Sequence, residues 1–163
     1  MRKGYFQGQL RSRGARLLPV VILMVTFPVA AFATLGGPAE SVRNDQAQMR
    51  ATLRTTALEA YMVHELTLPV GTVVREYVSP SGKVFAISWQ GAFVPDMKQL
   101  LGPYFGRYSK AAKQRRDFPI EHQHLDLHQP SLVVQSSGHM RFYSGRAYDP
   151  QLLPEGVNAD VLR

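Results

Sequence analysis

The 163-residue sequence contains no cysteine, and its first 33 residues contain no aspartate or glutamate. The absence of cysteine excludes a disulfide scaffold, thiolate-ligated zinc, an iron–sulfur cluster, a cysteine nucleophile and a lipid-modified N-terminal cysteine. The sequence also lacks a Gly-x-Ser-x-Gly elbow, a Ser-x-x-Lys pair, a phosphate-binding glycine loop and a dinucleotide fingerprint. We therefore assign no catalytic residue and no cofactor from the sequence.

The N-terminal apolar run, Leu17–Phe32, is shorter than the ~20 residues that a transmembrane helix usually needs, and Pro19 and Pro28 interrupt it. Five basic residues precede it: Arg2, Lys3, Arg11, Arg13 and Arg16. The run ends in Ala31-Phe32-Ala33, which fits the small-x-small rule of signal peptidase. This pattern favours a Sec-type signal peptide over residues 1–33, cleaved after Ala33, over a retained anchor. It predicts a protein of the periplasm or a secreted protein, without a stable membrane span after cleavage.

The net charge of +7 comes mainly from this N-terminal segment. Without it, fourteen basic residues face the same twelve acidic ones, which leaves a net charge of +2 over residues 34–163. A charge this small does not steer a protein toward polyanions over long distances. We therefore expect no nucleic-acid partner.

Residues 34–163 predict a single α+β domain, in which helices pack on one face of an antiparallel sheet. A polar stretch with helix-forming residues predicts a helix over 38–54. Period-two patterning and short turns predict a three-strand meander over 57–66, 72–78 and 83–90.

The second half of the domain predicts helices followed by a hairpin. Apolar residues at helical spacing predict two short helices or one kinked helix over 95–101 and 104–116, broken at Gly102-Pro103. Residues 118–129 are expected to be irregular or extended. Two strands, 131–135 and 140–148, are expected to join near Ser137-Gly138, followed by an extended C-terminal arm over about 149–163.

A histidine-rich tract is one candidate site. In an extended conformation its imidazole and carboxylate side chains share one face: His122, His124, Asp126 and His128. These groups suit Zn²⁺ or Cu²⁺, but alternate residues on a strand lie ~6.6 Å apart, so three can chelate only if the strand bends. The favoured interpretation of the tract is the polar outer face of an edge segment.

A basic run is the second candidate, with positive charge at Arg107, Lys110, Lys113, Arg115 and Arg116. Together with the aromatic rings of Tyr104 and Tyr108 it could contact lipopolysaccharide, an anionic lipid or an acidic partner. The same pattern fits a solvated helix face whose aromatic residues belong to the buried stripe.

The third candidate combines cationic and aromatic groups: Trp89, His139, Arg141 and Arg146. Small-ligand sites pair aromatic walls with a few fixed polar groups. The alternative is a core hairpin with Met140 and Phe142 directed inward. The sequence thus favours a non-enzymatic binding or interaction module, acting on an unknown envelope protein or small ligand. A metal-binding protein and an envelope hydrolase are the other hypotheses.

Several segments resemble one family of exported proteobacterial proteins, known as domain of unknown function 2844. The similarity is carried by Val74–Gly91 (VREYVSPSGKVFAISWQG), Leu100-Leu101-Gly102, Gly138–Arg141 (GHMR) and Gly145–Tyr148 (GRAY). The resemblance implies export and a shared fold, and it implies no activity, cofactor or catalytic residue.

Overall fold

The computed structural model describes residues 35–115 and 124–163, which build one seven-stranded antiparallel sheet. Its spatial order is β1-β2-β3-β4-β7-β6-β5. The strands are β1 (Thr52–Ala57), β2 (Met62–Thr67), β3 (Val73–Val78), β4 (Val84–Gly91), β5 (His124–Gln129), β6 (Leu132–His139) and β7 (Phe142–Tyr148). The α+β class is as predicted, but the predicted three-strand meander plus a hairpin describes only part of the seven-stranded sheet. Two meanders, β1–β4 and β5–β7, join through the pairing of β4 with β7.

Strand β1 lies where the sequence predicted the end of a long helix. Helix α1 covers only Val42–Met49, and Arg50 ends it in a left-handed conformation at φ 51°. The run that follows, Thr52–Thr56, is rich in β-branched residues, which favour a pleated strand over a helix. Residues 124–129, expected to be irregular or extended, form the other edge strand, β5.

The turn between β6 and β7 lies at Met140 and Arg141, not near Ser137-Gly138. His139 pairs with Phe142, so the two residues between them form a two-residue hairpin turn. Both have positive φ, 45° at Met140 and 66° at Arg141. Met140 and Phe142 are exposed, so the expectation that they point into the core is wrong.

The helices cover one face of the sheet, here called the helix face. Helix α2 (Met97–Leu101) and helix α3 (Phe105–Arg115) are separated by a 3₁₀ turn over Gly102–Tyr104, as the Gly-Pro pair predicted. Asp96 caps α2 by accepting hydrogen bonds from two backbone amides. The core between helices and sheet includes Leu66, Val74, Ile87, Leu100, Leu101, Leu132 and Val134.

Residues 149–163 form an arm that packs on the opposite face, here called the arm face. Leu152, Leu153, Val157 and Leu162 of the arm contact a small cluster around Tyr77 and Phe85. Within the two described stretches, none of the helices has the length and apolar character needed to cross a membrane.

Candidate functional site

Side chains in the middle of the arm face hold the end of the arm through hydrogen bonds to the main chain of Arg163. The carbonyl oxygen of Arg163 accepts from Tyr77 Oη and Ser88 Oγ, both at 2.9 Å, and from Arg75 Nη1 at 3.1 Å. The Arg163 amide donates in turn to Tyr77 Oη at 3.0 Å. Arg146 Nη1 holds the arm one turn earlier, by donating to the carbonyl oxygen of Ala159 at 2.6 Å.

A cavity of about 370 Å³, here called the arm cavity, lies beside this fastening. Strand register explains its polar floor, because paired residues on adjacent strands share a face. One row crosses the four strands β4, β7, β6 and β5 as Gln90, Ser144, Ser137 and His124. The next row crosses the same strands as Ser88, Arg146, Gln135 and Asp126. Phe142 and Leu162 add apolar surface to the lining.

Hydrogen bonds link three side chains of the second row, Arg146, Gln135 and Asp126, into a chain. Arg146 Nε donates to Gln135 Oε1 at 2.8 Å, and Gln135 Nε2 donates to Asp126 Oδ1 at 3.3 Å. His128 Nε2 lies 2.8 Å from the same Asp126 oxygen. Desolvation acts to raise the pKa of Asp126, but the hydrogen bond from Gln135 and the neighbouring histidines outweigh it and lower that pKa. The row is therefore ordered and keeps Asp126 ionised.

Two residues of the third sequence candidate lie at the arm cavity, and two do not. Arg146 and Trp89 both line it, although Trp89 is otherwise buried in the core beneath β7. Trp89 fits there only because residue 145 is glycine, since a Cβ on Gly145 would lie 2.3 Å from its ring. His139 and Arg141 are exposed at the β6–β7 turn, outside the cavity.

The described aromatic and basic residues of the second candidate lie on the 3₁₀ turn and on α3, away from the arm cavity. Tyr104 Oη donates a hydrogen bond to Asp149 Oδ2 at 2.7 Å. Burial is the larger cause and this hydrogen bond the next, and they raise the pKa of Tyr104 to about 12. Arg107 stacks on the Tyr104 ring and donates to Ser131 Oγ at 2.8 Å. Tyr108 packs against the core.

Of the remaining residues of the basic run, three lie in α3 and one lies outside the described residues. Lys110 and Lys113 are exposed on α3. Arg115 is the last residue of α3, and Arg116 lies outside the described residues. Arg107 already contacts Tyr104 and Ser131 within the fold. Among the described side chains of the basic run, Lys110 and Lys113 are therefore the ones free to contact an anionic partner.

The histidine tract is placed on the edge strand β5. His124, Asp126 and His128 share its arm face, whereas His122 lies outside the described residues. Over residues 35–115 and 124–163, no three histidine, aspartate or glutamate side chains lie close enough together to hold a metal ion. His128 instead pairs with Asp126.

A buried acidic pair on the helix face was not anticipated from the sequence. Asp45 of α1 and Glu76 of β3 are both fully buried and interact with each other. Gln99 Nε2 donates to Asp45 Oδ1 at 2.5 Å. Burial and, to a lesser extent, the adjacent Asp45 raise the pKa of Glu76 well above its ordinary value, which favours the protonated form of Glu76.

His64 is the neighbour of this pair on the adjoining strand, directly opposite Glu76. Its Nδ1 lies 2.9 Å from Thr55 Oγ1, and burial lowers its pKa. His64 and Thr55 also line a cavity of about 420 Å³ beside α1. The sequence signal for the pair is Glu76 itself, which alternates with Val74 and Val78 on the buried side of a strand.

Comparison with known proteins places the chain in a family. The model of the family described as "Protein of unknown function (DUF2844)" matches residues 31–162, so the chain belongs to that family, as the resemblance indicated. No curated protein and no solved structure matches the chain. The family description assigns no activity.

Proposed function

We propose that the protein is an exported, non-enzymatic binding module whose ligand occupies the arm cavity. The observation that carries this proposal is the polar row across β4, β7, β6 and β5, which lines the arm cavity together with Gln135 and Arg146 of the next row. A volume of about 370 Å³ lies within the range of small-molecule sites, which combine apolar walls with a few fixed polar groups. The signal-peptide pattern of residues 1–33 supports export to the periplasm or the medium.

The chemistry of the lining favours a ligand with several hydroxyl groups. The amide of Gln90 and the hydroxyls of Ser137 and Ser144 both donate and accept hydrogen bonds, which matches a ligand hydroxyl. The exposed ring of Phe142 offers an apolar surface for a C–H face. We therefore assign the site to a small saccharide or similar polyol, bound without a cofactor.

The test uses protein exported by cells that express the full chain, whose intact mass also shows whether it begins at Thr34. Saturation-transfer NMR with glucose, N-acetylglucosamine and maltose measures binding. Ser144→Trp should lower the affinity for the bound sugar about tenfold or more, because the indole fills the cavity. Thr67→Trp, an outward-facing substitution on β2, is the matched control and should bind as the wild type does.

Two results would overturn the assignment. The first is the absence of binding of all three sugars by the wild-type protein. The second is equal affinity of the Ser144→Trp and Thr67→Trp proteins for a sugar that does bind. A mass that still includes residues 1–33 would contradict export by a cleaved signal peptide, but would leave the ligand assignment standing.

A further inference from the structure

Most of the large exposed apolar side chains lie at one end of the sheet. Register places three connections there, because Val73 pairs with Gln90 and Gly91 pairs with Tyr143. These are the β2–β3 turn (68–72), the β4–α2 loop (92–96) and the β6–β7 turn (140–141), here called the rim. Five apolar side chains in or beside the rim are between 47% and 88% exposed: Val70, Phe93, Val94, Met140 and Phe142.

Two of the rim loops are held together by the fold. Thr72 Oγ1 donates to the carbonyl oxygen of Phe93 at 2.9 Å. Gly91 allows the close approach, since a Cβ there would lie 2.6 Å from Thr72 Cα. The backbone that carries Phe93 is therefore fixed while its side chain is directed into solvent, which is unfavourable for a ring with no contact surface.

The β6–β7 turn has a backbone conformation that disfavours the two residues that occupy it. A two-residue turn with positive φ at both positions favours Asn-Gly, and non-glycine residues there carry strain. Here the two positions are Met140 and Arg141, and Met140 is the most exposed of the large apolar residues. A long apolar and a long cationic side chain thus project together from the end of the sheet.

The charges around the rim are mainly positive. Among the described residues, the exposed charged side chains in or directly beside it are Arg50, Lys98, Arg141 and Asp96. The Asp96 carboxylate is engaged by the backbone amides of Lys98 and Gln99. Apolar groups among cations match an anionic bilayer surface, where apolar side chains enter the interface and cations approach phosphates.

We propose that the rim docks the protein onto an anionic lipid surface. Apolar side chains carried on three different loops suit a fluid bilayer, which takes up scattered apolar side chains, whereas a protein partner needs one continuous complementary surface. This inference goes beyond the proposed function and stands on different residues. Phe142 alone belongs to both regions, at the point where the rim meets the arm cavity.

Because the protein has no cysteine, a single introduced cysteine is the one site that a thiol-reactive fluorophore can label. Met140→Cys, labelled with an environment-sensitive fluorophore, is mixed with vesicles of phosphatidylglycerol or of phosphatidylcholine. The matched control is Leu58→Cys with the same label, because Leu58 is 49% exposed in the β1–β2 turn at the opposite end of the sheet. We expect a blue shift at position 140 with phosphatidylglycerol, a smaller one with phosphatidylcholine, and none at position 58.

A second variant tests the same surface without a label. Phe93→Ser combined with Met140→Ser should reduce co-flotation with phosphatidylglycerol vesicles about tenfold or more, and Leu58→Ser should not. Equal shifts at positions 140 and 58, no shift at position 140, or equal flotation of the rim and control variants would overturn the proposal. Equal shifts with both lipids would also overturn it, because the cations would then have no part. Circular dichroism verifies that each variant is folded.

Discussion

At the scale of single residues, Glu76 is the least expected feature of the protein. It occupies a buried position between two valines of a central strand and meets Asp45 of α1. Two carboxyls that share a dry site cannot both ionise without a large cost, so they titrate as a pair and retain one proton. The pair therefore joins α1 to the sheet by a bond that depends on pH.

Replacing Glu76 by glutamine should remove this pH dependence. The pKa of Glu76 is higher in the folded than in the unfolded chain, so the wild type loses stability as the pH rises from its unfolded pKa through its folded pKa. Glutamine donates a hydrogen bond to Asp45 at every pH. We expect Glu76→Gln to be more stable than the wild type by about 1–2 kcal/mol at pH 8, with a difference that shrinks toward pH 4.

Urea unfolding from pH 4 to pH 8 measures this difference. His64 faces the same pair and has a lowered pKa, but it is present in both proteins and its contribution cancels. Glu59→Gln, at an exposed position, removes one carboxyl from the surface and should run parallel to the wild type. Parallel curves for Glu76→Gln and the wild type would contradict the shared proton.

At the scale of elements, the local sequence pattern correctly predicted the central strands and the separation of α2 from α3. It did not predict the edge strand β1. Strands β3 and β4 have the alternation and the turn residues that define a hairpin, and Gly102-Pro103 separates α2 from α3. Strand β1 has polar and exposed side chains, so no apolar period marks it. Its strand conformation follows from pairing with β2, a contact that local pattern does not encode.

The composition of the β6–β7 turn explains why the sequence pattern predicts the turn at the wrong residues. Ser137-Gly138 has the composition of a turn, and Met140-Arg141 does not. We expect Met140→Asn combined with Arg141→Gly to raise the free energy of unfolding by about 1 kcal/mol, because both residues then suit positive φ.

Chemical denaturation of this double variant checks the gain in stability. The single variant Arg141→Gly is the comparison, and it should give part of the gain because one of the two positive-φ positions is then relieved. A loss of stability in the double variant would show that contacts of Met140 or Arg141 outweigh the strain. Under the rim proposal the double variant also binds lipid less, so stability and lipid binding change in opposite directions.

At the scale of the whole molecule, the candidate site depends on pairings between distant segments. Arg146 and Trp89 were singled out from the sequence and do line the arm cavity. The polar rows around them arise only when β7 pairs with both β4 and β6, and those registers are set by tertiary packing. His124 ends the row of Gln90, Ser144 and Ser137 and lines the arm cavity, although the sequence assigned it to a separate metal hypothesis.

The arm completes the site and separates it from a neighbouring cavity. Arg163 and Gln90 line both the arm cavity and a second cavity of about 500 Å³, over β1–β3. The bonds from Tyr77 and Ser88 to the Arg163 main chain hold this boundary in place. Release of the arm end would therefore join the two cavities and enlarge the accessible arm face.

Removal of the Tyr77 hydroxyl should release the arm end while the sheet stays folded. Tyr77→Phe deletes one bond donated to the Arg163 carbonyl and one accepted from the Arg163 amide. Each such bond is worth about 1 kcal/mol, so amide exchange over residues 157–163 should accelerate roughly tenfold or more. Hydrogen–deuterium exchange with peptide mass spectrometry measures it. Tyr61→Phe, on the ring that packs against Tyr77, should exchange as the wild type does. Equal rates in the two variants would mean that the Tyr77 hydroxyl is not needed to hold the arm end, and that the other hydrogen bonds and the packing of Leu162 suffice.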